Sequence, residues 1–151
     1  MKAIFSLILL LLSNTAFSDD ESGVSNNRLN KYFHTDLDYE AFFNELKAGL
    51  LSGDKEKVAS LNLYPIRVNY PEKSVYYDTV EEFIDNYDKI IRTEMLSRVE
   101  KQEFSSLFYN YNGMHIGFGD IWFSGICVDG ESCESLSINV WAYSVLSIEE
   151  K

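Results

Sequence analysis

Two periods of hydrophobic spacing run along this chain, and the change from one to the other divides it into a helical first part and a stranded last part. From Asp36 onward, Tyr39, Phe42, Phe43, Leu46 and Leu50 recur at helical spacing and form one apolar stripe, with Glu40 and Lys47 off it. Gly53 is a stop signal, and Asp54 caps a second, short helix through Leu61. That helix ends before Tyr64-Pro65, because the residue preceding a proline is pushed out of the helical region. Ile66, Val68 and Tyr70 alternate with Arg67 and Asn69, which reads as a half-buried strand. Residues 71–74 turn the chain into a second extended piece at 75–77. Another helix starts at Asp78 or Thr79, with Glu81 or Glu82 in the capping-box position and Phe83, Ile84, Tyr87, Ile90 and Ile91 on its buried face. Residues 93–101 continue as a further helix. Beyond Phe104 the period becomes that of strands, predicted at 106–111, 114–127 and 134–147, with Asn112-Gly113 as a hairpin signal between the first two. The fold class is therefore α+β, with helices gathered on one side of an antiparallel sheet.

The N-terminus has a different pattern. Lys2 is followed by an apolar run at residues 4–12 and by small residues at Ala16-Phe17-Ser18, the layout of a secretory signal peptide over 1–18. The run is shorter than the roughly 20 residues a bilayer-spanning helix needs. Residues 19–35 are polar and aperiodic, a flexible mature N-terminus, and residues 36–148 make a single domain. Cleavage leaves about 133 residues, enough for one core. Export to the periplasm or beyond it follows from this reading. The formal net charge of −11 argues against nucleic acid and against anionic membrane surfaces, both of which need a cationic footprint. It leaves a soluble exported protein kept dispersed by its charge, or a surface that recognises a basic periplasmic protein.

The order of elements, together with FFNELKAGLLSGDKEKVASL, in which a helix, an SGD break and a second helix precede the first strand, resembles the nuclear transport factor 2-like superfamily. The resemblance is one of topology and covers most of residues 37–145. It implies a cone-like fold, with a curved sheet wrapped around N-terminal helices, and self-association of the exposed sheet as a homodimer. It does not select an activity, since that superfamily includes isomerases, dehydratases, polyketide cyclases and binding modules.

Candidate chemistry concentrates in HIGFGDIWFSGICVDGESC, residues 115–133. Cys127 and Cys133 flank an Asp129-Gly130 turn, and in an oxidising compartment they are expected to form a disulfide closing a hairpin. Their spacing suits neither a zinc site nor a disulfide exchanger, and no metal or cofactor motif is found. Gly117, Gly119 and Gly125 lack the pattern of a dinucleotide loop and read as bends in a strand. Within one strand, Ile116, Phe118, Asp120 and Trp122 would share a face. Asp120 is then either a general base of weakened acidity, joined by His115 through a bulge, or a group at an exposed edge or paired with Arg67 or Lys89. Arg67, Tyr87 and Trp122 are the residues expected to line a ligand pocket in the cone. His34 reads as solvated, and Glu81, Glu82, Asp85 and Asp88 as helix-end charges. No serine has a nucleophile-elbow setting. With no catalytic constellation and ten tyrosines beside many acids, the sequence favours a non-enzymatic binding protein, of inhibitor or immunity type, recognising a cationic partner. A small-molecule binder, or a lyase or isomerase using the cone, is the alternative.

Overall fold

The computed structural model describes residues 23–130, 133 and 135–146. The signal-peptide reading, the segment 19–22 and the chain beyond residue 146 lie outside them. Helix α1 (Asn26–Phe33) comes first. The stretch read as aperiodic thus carries a helix, capped by the Ser25 side chain and ended by His34 in the left-handed conformation. Eight residues do not hold a helix in water by propensity; docking does, with Leu29 fully buried and Asn26 bonded to Asp38 and to the Glu40 N–H.

Helix α2 (Tyr39–Ser52) buries the stripe seen in the sequence and stops at Gly53, whose φ of 70° suits glycine. Asp54 caps α3 (Lys55–Ser60). Strand β1 (Asn62–Asn69) hairpins into β2 (Ser74–Tyr77). Thr79 caps α4 (Val80–Asp85), and Glu82 reaches back one residue beyond the cap to the Asp78 N–H, a capping box displaced by one position. Helices α5 (Tyr87–Ile90) and α6 (Thr93–Lys101) and a 3-10 turn (Phe104–Ser106) lead to β3 (Phe108–Asn110), β4 (Gly113–Ile116), β5 (Ile121–Cys127) and β6 (Leu136–Ser144).

These strands form one sheet in the order β2-β1-β6-β5-β4-β3. It is mixed rather than antiparallel throughout, because β1 and β6 run parallel while every other neighbouring pair is antiparallel. The helices pack on one face, where Phe42, Phe43, Phe83, Phe123, Val140 and Tyr143 fill the interior. Two further departures from the sequence reading concern the last strands. The β3–β4 loop is Tyr111-Asn112, with Gly113 already in β4, where an added Cβ would stand 2.5 Å from the Phe123 carbonyl oxygen. The segment 114–127 is two strands, broken by a tight turn at residues 117–120 in which Gly117 and Gly119 have φ of 65° and 89°.

Cys127 and Cys133 are bonded, with Cα atoms 4.9 Å apart, and close the β5–β6 hairpin. The loop they define is short, so reduction is expected to lower the unfolding free energy by only about 2 kcal/mol in a urea titration. Strand-rich circular dichroism should survive in the reduced protein without denaturant.

Candidate functional site

Asp120 is the one charged side chain with no exposed surface among the described residues. It belongs to the 117–120 turn, not to a continuous strand, so it does not share a face with Phe118, which is 81% exposed, or with Trp122. Its partner is Arg98 of α6, in place of Arg67 or Lys89. Arg98 Nε and Nη2 each donate to one carboxylate oxygen at 2.7 Å, the bidentate geometry that suits arginine to a carboxylate. The Phe118 N–H donates to the same carboxylate at 3.2 Å. Around this pair the Gly117 N–H donates to Gln102, the Asp120 N–H to Ile116 O, and the Ser144 N–H to Asp120 O. The hydrogen bond from Arg98 to Asp120 raises the arginine's pKa further. A carboxylate so engaged joins α6 to the β4–β5 turn, and the backbone carbonyl of the same residue joins that turn to β6.

His115 lies elsewhere. It sits in β4 on the sheet face turned away from the helices, stacked at 4.8 Å on Phe108 and tilted at 4.7 Å against Trp122. Register explains the grouping. Phe108 pairs with His115, His115 with Trp122, Trp122 with Ala142, Ala142 with Arg67 and Arg67 with Tyr76. Directly paired residues of neighbouring strands share a face, so one row crosses all six strands. At its middle a bulge opposite Trp122 and Phe123 inserts Trp141, whose ring lies 5.6 Å from that of Trp122. Arg67 and Trp122, expected together as the lining of an interior pocket, instead fall in one line with His115 on this outer face. Phe108, Tyr76 and Trp141 complete it; their aromatic character was visible, their alignment was not. Arg67 is held by Asn69 at 2.7 Å.

The row is electrically quiet. None of the six strands contains an aspartate, glutamate or lysine, and Arg67 is their one arginine. In a chain of net charge −11 the carboxylates of the described residues lie on helices, turns and loops. Polar capacity nevertheless remains at the row, since His115 Nδ1 and Trp141 Nε1 are buried without a hydrogen-bond partner among the described residues.

Tyr87, the remaining pocket candidate, is only 4% exposed and packs edge-on against Phe83 within the core. Its hydroxyl also lacks a partner among the described residues, and burial pushes its pKa up to about 12. Nearby polarity is internally satisfied, with Tyr143 donating to Asn62 at 2.8 Å. No group of three or more potential metal ligands occurs among the described residues. No helix there is long and apolar enough to cross a membrane.

Replacing Arg98 by Met strands the buried Asp120 charge, and equilibrium unfolding should show a loss of about 3–5 kcal/mol. Adding Asp120→Asn to that variant should recover part of it. Burial depresses the His115 pKa, against smaller opposing effects from the Gly117 and Ile116 backbone and from Asp120. As pH falls through the ordinary histidine value of 6.5, the unfolded chain takes up a proton that the folded one refuses, so stability falls. His115→Gln should therefore gain on the parent protein in urea midpoint between pH 7 and pH 5. An unchanged difference would contradict the buried, neutral imidazole. No protein-family model matches the chain, and searches of curated proteins and of solved structures return no significant match.

Proposed function

We propose that this chain is an exported, non-enzymatic binding protein whose partner docks on the outer face of the sheet. An inhibitor or immunity-type role against a secreted toxin or hydrolase is the most concrete form of that reading. The observation that carries it is the aromatic row from Phe108 to Tyr76, set on a face free of carboxylates in an otherwise acidic molecule. Aromatic side chains with an arginine, on a surface poor in other charges, have the composition of interface centres. Phe108 is 52% and Tyr76 59% exposed, while His115, Trp122 and Trp141 are half-buried, so the row offers ring edges rather than open ring faces.

The same reading takes the fold as the cone of the nuclear transport factor 2-like superfamily, which the helix order and the mixed sheet suit. Export to the periplasm or medium fits the leader-like residues 1–18 and the Cys127–Cys133 bond. One observation favours the alternative of a small ligand, or a lyase or isomerase reaction, inside the cone: the buried, unpartnered Tyr87 hydroxyl. Against it stand the interior aromatics that occupy the core and the engagement of Asp120 by Arg98.

The test is an affinity pull-down from cell-envelope extract with the oxidised chain from Asp19, followed by mass spectrometry, comparing the parent protein with Trp122→Ser. A stoichiometric partner bound by the parent, and bound about 30-fold or more weakly by a folded Trp122→Ser variant, is the expected result. Absence of any protein partner would overturn the reading. Equal binding by both would remove the row from it.

A further inference from the structure

Strand β6 is longer than the neighbour that covers it. It spans Leu136–Ser144, whereas β1 is registered on it only from Val140 onward. Residues 136–139 therefore have β5 on one side and no strand on the other. Within a strand, successive residues direct their N–H and C=O groups to opposite edges. The Val140 N–H donates to Leu61 O at 2.9 Å, so Val140 points to the β1 side. Ile138 and Leu136, two and four positions earlier, point the same way. The opposite edge agrees, since Val128 N–H donates to Ser135 O at 3.1 Å and turns Ser135, Ser137 and Asn139 toward β5. The N–H and C=O groups of Leu136 and Ile138 thus face outward with no answering strand, turn or side chain among the described residues.

What they face is a groove of about 460 Å³ between this edge and the start of α2. Leu37, Phe42 and Leu61 give it apolar surface, Asp38 and Glu45 stand on its helical side, and no lysine or arginine lines it. The hydrogen bonds Asp38 accepts from the Ala41 N–H and from Asn26 lower its pKa and keep it ionised. Glu45 shares its charge with Lys57, which reaches it from α3.

We infer that this groove binds an extended, basic segment of another protein by adding it as a strand to the free edge of β6. Main-chain hydrogen bonds to Leu136 and Ile138 supply the attachment, and Asp38 and Glu45 select lysine or arginine side chains on the helix-facing side of the added strand. Charge decides the occupant. The chain's own segment at 19–21 is Asp-Asp-Glu and would set carboxylates against carboxylates. A second copy pairing edge to edge would bring two such grooves together. This inference deepens the binding reading by giving the chemistry of a partner segment, at a surface separate from the aromatic row.

The probe is a blocked nine-residue peptide alternating lysine and valine, titrated against the oxidised protein by fluorescence anisotropy, with a glutamate-valine peptide as the counterpart. Amide hydrogen exchange at Leu136 and Ile138 is followed in parallel. The lysine peptide should bind and slow exchange at both amides at least tenfold, and the glutamate peptide should do neither. Leu136→Pro, at the first residue of β6 where an unbonded N–H makes proline tolerable, and Glu45→Lys should each weaken binding tenfold or more. Equal binding of both peptides, or lysine-peptide binding that leaves the two amides unprotected, would overturn the inference. Protection without peptide that grows with protein concentration would give the edge to a second copy. Protection lost on deleting residues 19–22 would give it to the chain itself. Either result would also overturn the inference. The pull-down with Trp122→Ser reads the outer face and the peptide titration reads the edge, so failure of one is distinguishable from failure of the other.

Discussion

A carboxylate with no exposed surface survives in this core because one guanidinium meets both of its oxygens. That bond ties α6 to the turn between β4 and β5. The same carboxylate takes the Phe118 N–H inside the turn, and the turn reverses β4 into β5. The fit leaves no room for variation: a Cβ on Gly117 would sit 2.0 Å from Asp120 Oδ2. Because Arg98 also carries α6, the pair fixes a helix and three strands relative to one another. Lys47 extends the frame, donating from α2 to the carbonyls of Glu100 and Gln102 at the end of α6. A buried ion pair contributes little net stability over an apolar replacement, and its cost appears when one partner is lost and the other stays buried.

That frame separates two environments. On the helical side, apolar and aromatic groups close over one another, Tyr143 donates to Asn62, and the Tyr87 hydroxyl is left without a partner among the described residues. On the other side the sheet presents aromatics, amides and hydroxyls without a carboxylate. Acidic groups gather around the helices, where they serve as caps at Asp38, Asp54 and Glu82.

How far the sequence could be read depended on the range of the interactions involved. The α2 stripe, the Gly53 stop, the capping box and the Cys127–Cys133 bond are local patterns, and each stands in the structure where the residues indicated. The 117–120 turn escaped because four residues preserve the two-residue period: Ile116, Phe118, Asp120 and Trp122 keep alternating through it as they would in one strand. Arg98 lies 22 positions from Asp120, and no local pattern links them. Parallel pairing of β1 with β6 leaves no trace in either strand. Nor was α1 legible, since Leu29 is its single buried residue and tertiary docking, not periodicity, holds it. For the candidate site, His115, Trp122 and Arg67 were each visible as residues of interest. Their common row is a product of register, which only the assembled sheet supplies.

The parallel seam between β1 and β6 also orders events in time. Strands β1 and β2 can hairpin early, and β3 to β6 can meander among themselves, but the two halves join only where Asn62 meets Val140 and Val68 meets Tyr143. Those contacts span about half the chain, and such distant pairings come late because the intervening loop must first be closed at an entropic cost. Until residue 144 has emerged, β1 has no neighbour on that side and the hairpin it forms with β2 lacks the rest of the sheet. A sheet built this way stays open at its centre until β6 is in place, so its first hairpin waits on its last strand.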